Sequence, residues 1–504
     1  MKYIDYVQLN PFQKFGYNFK EFFKALPGNL KKFFCMIGRF FKNLVLGIGK
    51  GVVGYVSRFI KGDWATKLSY IVMGVGNAAK GQIIKGLIFL LIEIAYIYFM
   101  ITFGGYYLSK FGTLGTELRH METIGGKHVT VPGDNSMLIL LYGVLTIVVT
   151  VLFFVVYIAS TKSAYKAQQT VAAGEKPATF KEEVKDLFDN KFHVTLLAFP
   201  TTTIAVFTIL PLIFMILIAF TNYDASHMPP GSLFTWVGFS NFADIFKITG
   251  GGASGAASKG ATFLELTKWT IIWAIFATVL NYILGMVVAL MINKKGIKLK
   301  SLWRTLFVVT VAVPQFVFLL LMNQMLAIDG AVNVLLVNVL HWAPEPIAFL
   351  NSTPLLARAT VIVINCWVGI PYTILITSGI LMNIPADLYE SATIDGAGPV
   401  KSFFKITLPY MLFVTTPYLI TSFIGNINNF NVIYLLSNGG PATSKLYQAG
   451  YTDLLVTWLF KLTMNSQDYD LAAAVGILVF IVCATLSLIT FNLTKSAKDE
   501  EAFS

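Results

Sequence analysis

The sequence predicts an all-α integral membrane protein with about eight transmembrane helices, and three observations carry that prediction. Of 504 residues, 56% are hydrophobic and only 13% are charged, giving a mean hydropathy of +0.68. Apolar runs near 83–103, 137–159, 195–220, 268–292, 302–328, 355–382, 410–436 and 471–493 are each long enough to cross roughly 30 Å of hydrocarbon. The Lys and Arg residues, 38 in all, concentrate in alternate loops, as they do where cytoplasmic loops are enriched in basic residues.

That last pattern also disposes of the net charge of +12 as a sign of nucleic-acid binding, since the basic residues follow the loops instead of forming one face. It places the N- and C-termini in the cytoplasm. Lys294, Lys295, Lys298, Lys300 and Arg304 mark the loop between the fourth and fifth spans as cytoplasmic, and the loop from Asn383 to Pro409 is on the same side.

Residues 1–82 form a basic, Phe-rich region that does not read as a cleavable signal, because no apolar core is followed by a small-residue cleavage site. Between Phe12 and Ile60, Phe alternates with Lys and Arg. This suits a helix lying in the anionic inner interface, or a solvated basic tail, since Gly47, Gly49, Gly51 and Gly54 weaken a helix there. Residues 83–194 hold two accessory spans and a cytoplasmic linker, 195–493 a six-span core, and 494–504 a tail. The outer stretch from Thr221 to Glu265 contains a Gly/Ser/Ala-rich linker at Thr249–Gly260 and leaves little room for a large folded domain. Cys35, Cys366 and Cys483 are far apart in apolar surroundings and are expected to be packed thiols.

Two segments carry chemistry. The first is Leu388–Pro409, LYESATIDGAGPVKSFFKITLP. Asn383, Ile384 and Pro385 should stop the preceding span and open a short helix, with Pro accepted in its first turn. Small side chains at Ser391 and Ala392 give that helix a slim face, and Gly396, following Asp395, permits a sharp turn. The second segment comprises the flanking spans. One contains Asn365-Cys-Trp-Val-Gly-Ile-Pro-Tyr372, where Gly369 and Pro371 suggest a bend that opens room beside Asn365 and Tyr372. The other contains Ser422, Gly425, Asn426, Asn428 and Asn429. On one continuous helix Ser422, Asn426 and Asn429 share a stripe. Amides at mid-membrane depth either line a wet cavity or bond across helices.

Residues Glu390, Ala392, Gly396, Ile406, Leu408 and Pro409 meet the pattern E-A-A-x(3)-G-x(9)-I-x-L-P, with Ser391 in place of the first Ala. The segment resembles the EAA loop, residues 384–409 here, of ABC importer membrane subunits. Stretches from about Thr360 to Leu493, including NIPADLYESATIDGAG, NNFNVIYLLSNGGPAT and AGYTDLL, resemble the larger membrane subunit of the maltose/maltodextrin importer. The resemblance implies a six-helix type I core behind two extra helices, and a loop helix that docks on an ATP-binding subunit. It also implies a second homologous permease subunit, two ATP-binding subunits, an extracytoplasmic sugar-binding protein and an oligosaccharide as substrate. By position it implies sugar contacts at Asn365, Val368, Gly369, Tyr372, Ser422, Gly425, Asn426 and Asn429, and so favours the lined pathway over interhelical bonding. Gly425 departs from relatives that carry an aromatic there, which widens the cavity and admits a differently linked sugar such as a galactoside. The region Tyr434–Thr443 is read as an outer turn through Gly439, Gly440 and Pro441, and in the resembled family it helps to meet the binding protein.

No Walker-type G-x-x-x-x-G-K-[ST] and no H-E-x-x-H occurs, and the five His residues are scattered. No catalytic residue, metal ligand or cofactor is therefore assigned, and ATP hydrolysis is expected from another chain. An ion-coupled carrier would need ionisable groups at mid-span. Glu93, in the accessory first span, is the clearest acidic candidate.

Overall fold

In a computed structural model, the residues described are 49–124, 127–247, 257–294 and 296–493, with a few positions between 35 and 47. Most of the Phe12–Ile60 segment, much of the Gly/Ser/Ala linker and the tail 494–504 lie outside them. The chain divides into two compact units, Met1–Phe214 and Met215–Ser504.

In the first unit the accessory spans are Ile83–Lys110 and Ser136–Ala172. The second of these starts where Asn135 caps it, its side-chain oxygen accepting from Met137 N and Leu138 N at 3.1 and 3.2 Å. The spans zip together through aromatic and hydroxyl groups: Tyr96 stacks on Phe153 at 3.8 Å and donates to Thr150 at 3.2 Å. Glu93 accepts from the backbone N–H of Met73 at 2.7 Å. This intramembrane acid therefore satisfies a backbone donor, the role that protein-buried polar backbone demands. A two-stranded hairpin, His120–Ile124 with Lys127–Val131, joins the spans and is an addition to the all-α expectation. The third apolar helix is Phe192–Ile218.

The second unit carries the spans Lys259–Asn293, Pro354–Met382, Pro399–Ile427 and Tyr469–Leu488. Its core gathers Trp269 and Trp273 of the fourth span with Leu319, Val361, Val432, Ile433, Leu436 and Leu454. Both indoles find acceptors, Trp269 at the Thr452 carbonyl and Trp273 at the Asn426 carbonyl, each at 3.1 Å. The fourth and sixth spans approach closely, each setting a glycine against a side chain of the other. A Cβ on Gly285 would stand 2.5 Å from Thr373 Cβ, and one on Gly369 would stand 1.9 Å from Asn281 Nδ2. Small residues at such a crossing are the membrane solution to close packing.

Three expectations need correction. The fifth span is not one helix: Lys300–Ala312 and Gln315–Met325 meet at 85°, because Pro314 lacks an N–H and forces the residue before it out of the helix, with Val313 at ψ 123°. The seventh span ends at Ile427, after which a separate helix runs Phe430–Ser437. Of the cysteines, Cys483 is buried and Cys366 half-buried, but Cys35 is exposed.

Replacing Gly285 with Val would drive three carbons into the Thr373 wall. We expect it to cost about 1–3 kcal/mol, read as a lowered Tm of the purified chain in a fixed detergent. An unchanged Tm would show that the two spans separate at little cost.

Candidate functional site

The sixth span runs unbroken from Pro354 to Met382, with Thr353 capping it and Pro371 inside it. Its residues Trp367, Val368, Pro371 and Tyr372 form one wall of a cavity of about 250 Å³. The opposite wall is the break in the fifth span, through Thr310, Val311, Val313, Gln315 and Phe318. Phe318 stacks on Trp367, ring centroids 6.2 Å apart and planes within 12°. Indole, phenol and phenyl faces beside Thr310 and Gln315 offer stacking surfaces together with hydroxyl and amide groups. Trp367 is 62% and Tyr372 49% exposed, so the wall is open on one side.

The predicted residues separate into groups. Val368 and Tyr372 line this cavity. Asn365 does not; it is buried, and its Nδ2 finds no partner among the described residues. The expected room at the Gly369–Pro371 bend is therefore beside Val368 and Tyr372, in a helix that passes through Pro371 without ending. Gly369 faces Asn281 of the fourth span, whose Oδ1 is also buried with no partner among the described residues.

The shared stripe of Ser422, Asn426 and Asn429 is overturned, because the helix stops between the last two. Asn428 is the C-cap of the seventh span, and Asn429 begins the next helix, its side chain accepting from Val432 N at 3.3 Å. Asn is well suited to that cap. Asn426 is buried, donates to Thr278 Oγ1 at 3.0 Å, and accepts on its backbone from Trp273. Asn429 Nδ2 reaches Asn426 Oδ1 at 3.4 Å. These amides thus bond across helices. Ser422 is half-buried and Gly425 exposed, with nothing within 4 Å of where a Cβ would stand.

The loop segment is a short helix, Ala386–Ile394, with Pro385 at its N-cap instead of in its first turn. Glu390, Ser391, Asp395 and Gly396 are exposed and Ala392 half-buried. Gly396 takes φ +72°, where an L side chain is strained. The next span already starts at Pro399, so the loop proper is 383–398, and Ile406, Leu408 and Pro409 ride on that span. Tyr389 Oη meets Thr407 Oγ1 at 2.8 Å, tying the short helix to the base of the span. Ile394 and Val400 are 87% and 72% exposed, leaving an apolar surface on the loop.

At the other end, Asn438 and Gly439 take positive φ before the Gly440–Pro441 bond, which makes the expected turn. Beneath Gly439 lies Asp453, whose carboxyl is pushed up by burial against the opposing pull of Lys461 at 2.6 Å.

Sequence reasoning missed the fifth-span wall, in particular Gln315 and Phe318. Its signal is Pro314 within the apolar run, with Gln315 directly after it.

An α-helical membrane unit with a broken span over an aromatic cavity and an exposed loop helix between two spans defines a multi-spanning permease. Residues 281–496 match the family described as binding-protein-dependent transport system inner membrane component. The chain is 36% identical over 439 residues, 86% of its length and 95% of the relative's, to the maltodextrin transport system permease protein MdxF of Bacillus subtilis. It is 34% identical to the galactooligosaccharides transport system permease protein GanP of the same species, over 85% of this chain and 97% of that one. The bacterial alginate ABC transporter in complex with an alginate pentasaccharide-bound periplasmic protein shares the fold, with a TM-score of 0.51, 20% identity, and coverage of 62% of this chain and 98% of that one. The chain belongs to the maltose/maltodextrin permease family of binding-protein-dependent transport inner-membrane components.

Asn426→Ala should lower the chain's stability by about 1 kcal/mol through loss of the Thr278 and Asn429 bonds. Thermal unfolding in detergent checks this; an unchanged Tm would return Asn426 to the pathway.

Proposed function

We propose that the chain is the membrane-spanning subunit of an ATP-driven importer that moves maltodextrin-type oligosaccharides into the cytoplasm by alternating access. One observation carries the proposal. A single helix, Pro354–Met382, presents Trp367, Val368 and Tyr372 to the cavity and then leads directly to the exposed loop helix Ala386–Ile394. From Tyr372 to Met382 is about 15 Å at 1.5 Å per residue, with no joint between. Displacement of the loop helix by an ATP-binding subunit would therefore reach the sugar-contacting wall as a rigid-body shift.

The remaining partners are part of the same proposal. The exposed apolar side chains Ile394 and Val400 suit a docked ATP-binding subunit, which supplies the hydrolysis that this chain lacks the motifs for. Two such subunits and a second homologous permease, closing the open side of the cavity, complete the machine. An extracytoplasmic sugar-binding protein delivers substrate to the turn at Asn438–Pro441. The excess of Lys and Arg in alternate loops supports a cytoplasmic position for both termini and the loop 383–398.

Within the sugar path, Tyr372 and Val368 are contact residues, joined by Trp367, Phe318 and Gln315. Gly369 and Asn426 hold the fourth span in place beside the path. Ser422, Gly425 and Asn429 belong to its continuation, and the unpaired Nδ2 of Asn365 suits a hydroxyl acceptor. Maltodextrins are the substrate proposed because MdxF of 36% identity carries that name. The open space at Gly425 also fits the substrate class in the name of the galactooligosaccharide permease.

Two measurements test this. In vesicles holding the full assembly, Tyr372→Ala should cut ATP-driven maltotriose uptake roughly five- to tenfold, as loss of one stacking contact of roughly 1–1.5 kcal/mol does, with assembly intact. Uptake of galacto-oligosaccharides but not maltodextrins would transfer the substrate to the second class, and uptake driven by an ion gradient alone would sink the importer reading. For the loop, Gly396→Asp strains a positive-φ turn at the docking surface. We expect the ATP-binding subunit to be lost on co-purification, and its full retention would count against the docking site.

A further inference from the structure

A second cavity, of about 370 Å³, lies wholly within the Met1–Phe214 unit and shares no lining residue with the Trp367–Tyr372 cavity. Lys85 at the start of the first span, Lys162 and Lys166 on the second, Lys191, Glu183 and Gln82 are among its lining residues. Its volume falls in the range of small-molecule sites.

The charges there are unevenly matched. Lys85 pairs with Glu183 at 2.5 Å and Lys191 with Asp186 at 2.5 Å. Lys162 and Lys166 are exposed and form no salt bridge with a described residue, the charge of Lys166 reaching Asp186 only at longer range. They stand one turn apart on one helix, a like-charge arrangement that is unfavourable alone and is relieved by an anion between them. Ser163, between them in sequence and also on the wall, accepts from Asn77 Nδ2 at 2.8 Å. Its own O–H donates to no described group.

Depth comes from two independent features. No charged residue occurs from Ser136 through Thr161, a stretch longer than the ~20 residues that cross the hydrocarbon, so Lys162 is the first to emerge. Beside the cleft, the helix Phe180–Phe188 opens with a Thr179/Glu182 capping box and places Phe180, Val184, Leu187 and Phe188 on one stripe. Phe180, Leu187 and Phe188 are 41%, 40% and 66% exposed. A short helix with an uncovered apolar stripe and a charged opposite face lies in the interface plane. The cleft is therefore at headgroup level, and the basic-residue asymmetry puts it in the inner leaflet.

We propose that this cleft, framed by the ends of the two accessory spans and the Phe180–Phe188 helix, binds the phosphate headgroup of an anionic phospholipid. Lys162, Lys166 and the Ser163 hydroxyl are its donors, and the Lys85–Glu183 pair and Gln82 form its floor. Basic pockets between membrane helices on the cytoplasmic side recognise such headgroups. The acyl chains would lie along the exposed apolar stripe, which a soluble phosphate would leave unused.

The test uses the full-length chain in detergent, titrated with phosphatidylglycerol and with phosphatidylcholine and read by native mass spectrometry. We expect phosphatidylglycerol to be retained in preference, and the double variant Lys162→Gln, Lys166→Gln to lose roughly tenfold or more of that affinity. The double variant Lys162→Arg, Lys166→Arg should keep it. A second pair, Lys298→Gln with Lys445→Gln, removes the same charge outside the cleft and should leave retention unchanged. Each variant's Tm in lipid-free detergent verifies folding; all these positions are exposed. Equal retention by the wild type and the Lys162/Lys166 Gln variant, or equal loss in the Lys298/Lys445 pair, would overturn the site. Displacement of the lipid by millimolar inorganic phosphate or glycerol phosphate would reassign the cleft to a soluble anion and overturn the lipid.

Discussion

A chain that leaves the helix inside a bilayer releases N–H and C=O groups that hydrocarbon cannot satisfy, and the placement of the candidate site depends on how this protein meets that constraint. The Met215–Ser504 unit breaks two apolar segments. At the second break, released groups find partners in the protein: Trp273 Nε1 and Asn429 N both donate to the Asn426 carbonyl, and the Asn429 side chain accepts from Val432 N. That break is filled with protein. At the first break Pro314 has no N–H to satisfy, Val313 N bonds back to Thr310 at 3.3 Å, and the remaining backbone borders the cavity beside Trp367 and Tyr372. Irregular backbone in a membrane is tolerated against protein or against a cavity, and this chain uses one solution at each break.

The same physics explains what was legible in the sequence. Runs of about 20 apolar residues leave few alternatives, and except for the broken fifth span and the shifted seventh the spans lie where hydropathy puts them. The sharp turn at Gly396 was readable as well, because few residues other than Gly take φ +72° without strain. A single Pro in an apolar run was not decisive. Pro200, Pro371 and Pro417 all sit inside continuous helices, whereas Pro314 ends one. Whether a helix survives its proline depends on which neighbours take up the freed carbonyl, and local sequence does not contain that. The Asn stripe failed for a related reason. Periodicity assumes an unbroken helix, while Asn429 is a residue type that caps as readily as it lines, and capping prevailed. The β-hairpin was hidden because its short strands lie in a loop with no buried face to impose a pattern.

Close packing then sets what can move. Gly285 against Thr373 and Gly369 against Asn281 lock the fourth and sixth spans closely together, so the cavity wall that holds Tyr372 is backed by a second helix. A stiff pair transmits displacement but cannot absorb it. If the loop helix Ala386–Ile394 is driven by an ATP-binding subunit, as proposed, the accompanying change in backbone angles must fall where helices are already interrupted. Within the apolar segments of the described residues, two such places are Val313–Pro314 and Asn428–Asn429. The second is fastened by the Trp273, Thr278 and Val432 bonds, whereas the first faces open space on its cavity side. The geometry therefore concentrates compliance at the break that also forms the opposite wall of the cavity, and a rigid sixth span paired with a hinged fifth is an arrangement in which widening and narrowing of the path follow from motion of the loop.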